Sequence, residues 1–268
     1  MVKKENENHT KMDSCDWYGF LAETFGMVPL HMGGSAATEQ LLEMCQLDEN
    51  SRVLDVGCGS GYTACTIAKM YGSQVIGIDI SEKQISKAKE SARKQKLEDK
   101  IEFRVASVLE IPFDKETFDV VIFESVLTPL GNNREEALKE MVRVLRLNGR
   151  IGANEGAFSP STPPDVLKKL EGGWGGSSFF TFDDLRKFFE DAGLKILQMV
   201  EGKEKLNIVG ELGLRGILAF MVRRYPKLLW RLITDSKLRE AQKKDAELNK
   251  AISEHGGGYA LIVGQKIG

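Results

Sequence analysis

The sequence predicts an α/β protein built on a mainly parallel sheet covered by helices, and three observations carry that expectation. Short apolar runs of β-forming residues alternate with longer amphipathic segments from Arg52 to Glu155. The first run passes into a glycine-rich turn and then a helical segment, and the second ends in an acid, Asp79. Parallel strands cannot be joined by tight hairpins, so each needs a crossover, and alternation of the two periods is its sequence sign.

The elements follow in order. Residues 1–14 form a polar, charged tail, and Cys15 to Met27 has the apolar spacing of a short helix that Pro29 stops. Ala36 to Gln46 places Leu41, Leu42, Met44 and Cys45 at helical spacing. Val53 to Gly57 reads as a buried strand, Tyr62 to Tyr71 as a helix and Gln74 to Asp79 as a second strand. Ser81 is placed to cap a helix over Glu82 to Lys96. Ile101 to Ala106 and Phe118 to Phe123 are further strands. Arg134 to Leu147 is amphipathic and stops at Asn148-Gly149, after which Arg150 to Glu155 returns as the fifth strand.

Beyond Glu155, Phe158 to Asp165 and Gly172 to Ser178 are dense in glycine, proline and serine and read as loops at the expected ligand edge. Thr181 to Asp184 opens a helix to Ala192, with Gly193 past its end. Leu194 to Lys205 and Tyr259 to Lys266 are strands, and residues 206–255 between them form a helical insertion. This divides the chain into 1–50 (tail and cap helices), 51–205 (α/β core), 206–255 (insertion) and 256–268 (final strand).

Of the 268 residues, 42% are hydrophobic, enough for a full buried core. A net charge of −2 offers no overall attraction to nucleic acid. Cys15, Cys45, Cys58 and Cys65 lack metal-ligand or disulfide-framework spacing, so reduced thiols and no metal are expected. The N-terminus lacks the apolar core of a signal peptide, and no segment is long and apolar enough to span a bilayer, which points to the cytoplasm.

Gly57, Gly59 and Gly61 form G-x-G-x-G between a strand and a helix. Without Cβ atoms they tolerate positive φ and let a ligand lie against backbone N–H groups at the positive end of the helix. Asp79 closes the next strand, where a carboxylate can accept both hydroxyls of a ribose. A nucleoside-containing ligand is implied. The third glycine comes one position too early for a dinucleotide turn, Tyr62 follows it, and no Gly-Lys-Ser/Thr is present for a triphosphate.

The runs VLDVGCGSG and VIGIDIS, with IEFRVASVLEIPF, FDVVIFESVL and LKEMVRVLRLNGRIGANE, resemble the class I S-adenosylmethionine-dependent methyltransferases, of the small-molecule, UbiE/phosphoethanolamine-methyltransferase-like type. The resemblance spans roughly Ser51 to Glu155 and the closing strand. It implies a Rossmann-like sheet of seven strands, the last antiparallel, with N-terminal helices and a helical lid insertion. It also implies S-adenosylmethionine as cofactor and S-adenosylhomocysteine as product. On that pattern Asp55 orients the glycine loop, Gly57, Gly59 and Gly61 face the methionine part, Asp79 holds the ribose and Ile80 packs on the adenine. Ser107, followed by Val108, stands where the family usually has an acid for the adenine amino group.

Transfer from a sulfonium is an in-line displacement in which positioning supplies much of the catalysis. Glu124 and Glu155 each end a strand at the ligand edge, and His31 lies in a glycine-flanked segment ahead of the core. Glu124 is a candidate for cofactor contact and for catalysis, His31 for catalysis, and Glu155, Tyr18 and Trp174 for substrate contact. Each also has a plain structural reading as a cap, a surface acid, a loop hydrogen bond or a core aromatic. Two acids facing the acceptor favour an amine, which gains positive charge on methylation; oxygen or carbon acceptors of quinol or lipid type, and a non-catalytic cofactor-binding protein, are the alternatives. The arsenite-type activity lacks its cysteine positions here. A nucleic-acid substrate is disfavoured by charge and by Glu-Ser-Val-Leu in place of a Pro-Pro-Tyr motif after the fourth strand.

The insertion holds apolar residues beside Arg215, Arg223, Arg224, Lys227 and Arg231. It suits a lid over the acceptor, a homodimer surface, or peripheral membrane contact through 212–233.

Overall fold

The computed structural model describes residues 31–171, 179–203, 247, 250, 251 and 253–268. Tyr18, Trp174, the helix expected at Cys15 to Met27, the 212–233 segment and nearly all of the 206–255 insertion lie outside the described residues.

Within them the strands are β1 (Arg52–Val56), β2 (Gln74–Asp79), β3 (Ile101–Val105), β4 (Phe118–Glu124), β5 (Leu145–Phe158), β6 (Phe180–Thr181), β7 (Leu194–Lys203) and β8 (Gly258–Lys266). The helices are α1 (Gly34–Cys45), α2 (Tyr62–Tyr71), α3 (Glu82–Gln95), α4 (Arg134–Val144), α5 (Pro164–Glu171) and α6 (Phe182–Asp191). The sheet runs β3-β2-β1-β4-β5-β8-β7, with the short β6 pairing β5. Pairings are parallel except those of β8, which is antiparallel to both β5 and β7. This is the sheet the sequence predicts, with two residues of β6 added beside it.

Alternation along each strand feeds two layers. Leu54 and Val56 of β1 and Val121 and Phe123 of β4 join Met141 of α4 and Leu185 and Phe189 of α6 in one core. Val53, Val120 and Ile122 point the other way and pack with Leu41, Leu42 and Cys45 of α1, Ile67 of α2 and Ile85 of α3. Both cores exclude water almost completely, and an apolar side chain buried this way stabilises by roughly 1.5–3 kcal/mol. Helix α1 approaches β5 closely because Gly152 has no side chain where Cys45 Sγ sits.

Several boundaries differ from expectation, among them the end of β5, which runs past Glu155 to Phe158, read as the start of a loop. The helix expected to reach Leu147 stops at Val144, because Leu145 turns extended, is buried and pairs with Phe118, so β5 starts five residues before Arg150. Asn148 takes φ of 63°, at the register shift that lets the strand continue. Pro164 and Asp165, read as loop, open α5; proline suits a first helical position, where its missing N–H has no partner to lose. The caps match expectation. Ser81 Oγ accepts the Gln84 amide, and Thr181 and Asp184 close a reciprocal capping box on α6.

Candidate active site

The carboxyl ends of β1, β2, β4 and β5 lie side by side, and the turn after β1 supplies the site's floor. Gly57, Gly59 and Gly61 have φ of 68°, 50° and 85°. A Cβ on Gly57 would stand 2.6 Å from Val126 Cγ2, and one on Gly61 would stand 2.9 Å from Phe103, so both positions require glycine. Nothing lies within 4 Å of a Cβ built on Gly59, which leaves bare main chain open to a ligand. The turn is tied to β2 by Asp79, whose Oδ2 accepts the Gly59 amide at 3.0 Å and whose Oδ1 accepts the Ser81 amide at 2.9 Å. A carboxylate has about four lone-pair sites, so two remain for a diol. Burial pushes the Asp79 carboxyl up, while its two amide bonds pull it down.

Beside Asp79, Ile80 is 66% exposed, and Val105, the register partner of Asp79 across the β2–β3 pairing, is 50% exposed. Two uncovered branched side chains next to a diol acceptor suit the flat face of a nucleoside base. Val105 escaped the sequence reading because, within an alternating strand, nothing marks an end residue as uncovered. Ser107 Oγ accepts the Leu109 amide at 3.2 Å, so part of its acceptor capacity is spent in its own turn. Val108 is half-buried against the core.

Asp55 is 3% exposed and close enough to Glu124 and Asp79 to feel both charges. Burial, then the Glu124 charge, push its carboxyl well above the usual range, and the Ala64 amide in the first turn of α2 opposes this.

Glu124 gathers more of the site than any other side chain described. Its Oε1 accepts the Thr63 hydroxyl at 2.7 Å, and the Thr38 hydroxyl reaches its two oxygens at 3.2 and 3.3 Å. Oε2 lies 3.0 Å from His31 Nε2 and accepts Asn154 Nδ2 at 3.2 Å. Four donors from α1, α2, β5 and the segment ahead of α1 therefore converge on one carboxylate. Asn154 also donates towards the Met32 carbonyl at 3.1 Å, and its Nδ2 lies 2.8 Å from His31 Nδ1. The two amide hydrogens of Asn154 go to Glu124 and the Met32 carbonyl, and His31 Nδ1 itself lies 3.1 Å from that carbonyl, so the role of Nδ1 depends on the ring's tautomer.

Thr38, Thr63 and Asn154 were not singled out from sequence. Thr63 follows the glycine turn and Asn154 adjoins Glu155, but neither position says which side chain turns inward. The structure separates the two neighbours: Asn154 pairs with Glu124 in register, while Glu155 points to the other face. Glu155 corrects its expected role as a substrate contact. It is fully buried; Oε1 accepts the amides of Val126 and Leu127 at 2.7 and 2.8 Å, and Oε2 accepts the Thr128 amide and hydroxyl at 3.2 and 2.8 Å. Its oxygens are committed to the loop after β4, so it acts through that loop and not on a ligand.

A family model described as a methyltransferase domain matches residues 47–172. The methyltransferase GfsG of Streptomyces halstedii is 30% identical over 72% of this chain and 70% of its own. The 27-O-demethylrifamycin SV methyltransferase of Amycolatopsis mediterranei is 32% identical over 59% of each chain. Among solved structures, a phosphoethanolamine N-methyltransferase of Haemonchus contortus, in complex with S-adenosylhomocysteine, superposes with a TM-score of 0.71 at 16% identity, over 97% of this chain and 58% of that one. On this sequence likeness and fold, the chain belongs to the class I S-adenosylmethionine-dependent small-molecule methyltransferases.

Proposed function

We propose that this enzyme methylates a hydroxyl oxygen of a small organic acceptor, with His31 receiving the hydroxyl proton and Glu124 steadying the imidazolium. The observation that carries this reading is the pair itself. His31 Nε2 and Glu124 Oε2 are 3.0 Å apart, and the two side chains are 7% and 6% exposed. An imidazole oriented by a buried carboxylate has the geometry of a general base, and such a base contributes about 10²–10⁴-fold to a proton-transfer step.

S-adenosylmethionine supplies the electrophilic methyl on a sulfonium. The chain's residues do the rest. Asp79 holds the nucleoside end, the glycine turn faces the methionine part, and Glu155 fixes residues 126–128 beside that turn. A proton arriving on His31 Nδ1 finds the Met32 carbonyl 3.1 Å away as its acceptor, while Nε2–H stays on Glu124. Doubly protonated, the ring has an acceptor for each N–H, the Met32 carbonyl and Glu124.

An amine acceptor would be favoured only if both acids faced it. Glu155 is turned into the protein and Glu124 already meets four donors, so the anionic floor that reading needs has no free oxygen lined up for it. The relative that methylates a demethylrifamycin acts at oxygen by its name, which supports the hydroxyl reading. A screen of hydroxyl, amine and thiol acceptors with labelled cofactor tests it, with the product's methylated atom located by NMR. Expected are O-methyl products and a His31→Gln variant with kcat reduced at least about 100-fold at unchanged cofactor affinity. Turnover confined to amines, or a His31→Gln variant with unaltered kcat, would sink the proposal.

A further inference from the structure

We propose that Tyr259 of β8 is a positioning residue for His31: its ring supports the turn that carries His31 and so keeps the imidazole against Glu124. The proposal rests on the base role given to His31 above and adds a residue that acts through it.

Glycines shape the seat of the ring. Tyr259 pairs with Gly156 of β5 on one side and with Gly202 of β7 on the other, and cross-strand partners project to the same face. A Cβ on Gly202 would collide with the tyrosine ring, so that glycine lets the ring lie across β7. Gly33 meets the same end of the ring: a Cβ there would stand 2.6 Å from Tyr259 Cζ and 2.8 Å from Cε1. The ring therefore touches both the main chain of β7 and the main chain that leads into α1.

His31 begins that stretch of main chain. The Gly34 amide donates to the His31 carbonyl at 3.4 Å, and Gly33, at φ 80° and ψ −9°, has the third-residue geometry of a type II turn. In a closed turn the place of Gly33 decides where His31 stands. Helix α1 has no side-chain cap at this end, so its entry is not set by that local device. Support comes instead from the sheet. From β5, Asn154 Nδ2 donates to the Met32 carbonyl at 3.1 Å, and the Met32 thioether lies 3.8 Å from the position of a Cβ on Gly156. From β8, the Tyr259 ring bears on Gly33. Without the ring, two glycines cannot fill the gap, and the turn is no longer held where His31 Nε2 stands 3.0 Å from Glu124. A displacement of about 1 Å at a reacting group can cost about 100-fold in rate.

Tyr259→Leu keeps apolar bulk near Gly202 but stops short of Gly33, whereas Tyr259→Phe keeps the ring carbons that make the contact. Two measurements test the idea on the full chain. In the ligand-free protein with ¹⁵N-labelled histidine, the His31 ring signals are identified by their loss in His31→Gln. They should move in Tyr259→Leu and return to their parent positions in Tyr259→Phe. Turnover is then followed with labelled S-adenosylmethionine and the best hydroxyl acceptor from the screen. Expected is a kcat about 10- to 100-fold lower in Tyr259→Leu at unchanged cofactor affinity, restored in Tyr259→Phe. In a His31→Gln background, Tyr259→Leu should cost nothing further, because its effect passes through His31; a residue that only stabilises the fold would cost the same in both backgrounds.

His31 signals unmoved in Tyr259→Leu, an equal loss of kcat in Tyr259→Phe, or additive losses in the double variant would overturn the proposal. Should Tyr259→Leu not fold, Gly202→Ala, which drives the ring off its seat, must move the same signals, and their constancy overturns it. Signals that move while His31→Gln keeps full kcat would leave Tyr259 as the support of the turn and remove His31 as the base.

Discussion

Val126 occupies the space a side chain on Gly57 would need: its Cγ2 lies 2.6 Å from the position of an ideal Cβ there. Val126 is held in place by its own amide, which donates to Glu155 Oε1 at 2.7 Å. The floor of the cofactor site and the loop after β4 are therefore fitted to one another through a buried acid that touches no solvent.

Gly57→Ala should test that fit. The substitution places a Cβ at φ of 68° and against Val126, combining about 1–2 kcal/mol of left-handed strain with about 1–3 kcal/mol of overpacking. A drop in melting temperature with at least a tenfold loss of S-adenosylmethionine affinity is expected, measured by thermal denaturation and calorimetry. Gly59→Ala, with open space at the same backbone hand, should keep most of the stability and still weaken the ligand.

Glu155→Gln should cost stability first. Three backbone amides and the Thr128 hydroxyl lose a charged acceptor, and the new amide group faces donors with donors. A loss of about 2–3 kcal/mol in urea denaturation is expected for a buried, charge-assisted set of bonds. A change below about 0.5 kcal/mol would show that the loop does not depend on this acid.

Asp79→Ala removes both the Gly59 tether and the proposed diol acceptor. Cofactor affinity should fall by about 2 kcal/mol or more, roughly 30-fold, in calorimetry. Unchanged affinity would place the ribose elsewhere.

The pH dependence of the ligand-free protein follows from three carboxyls that burial raises: Asp55, Asp79 and Glu155. A group whose folded value lies above its unfolded one stabilises fully below the unfolded value and loses that contribution as pH climbs through the folded one. The ligand-free melting temperature should therefore fall as pH rises from the ordinary carboxylate range towards neutrality. Asp55→Asn should flatten that fall; a profile rising over the same interval would contradict the assignment.

Much of this molecule was legible before any coordinates. The spacing of apolar runs placed β1 to β4 within a residue or so, because a strand buried on both faces must be nearly continuous in valine, isoleucine and phenylalanine. Ser81 and Thr181 announced their helices by chemistry that acts within three residues. The glycine turn and Asp79 were visible for the same reason, since a turn that needs positive φ leaves few residue types. Leu145 went unread because its extended conformation is imposed by Phe118 across the sheet, not by its neighbours in sequence.

The sequence by itself determined the fold class, the glycine turn and its acid, since each depends on local backbone limits or on period. Only the tertiary structure decided that Glu124 is shared among His31, Thr38, Thr63 and Asn154, and that Glu155, one residue past Asn154, serves a loop on the opposite face. Those assignments depend on which face of a strand meets which helix and on partners up to 123 positions away, between His31 and Asn154. Such pairings come from packing, which no local pattern encodes.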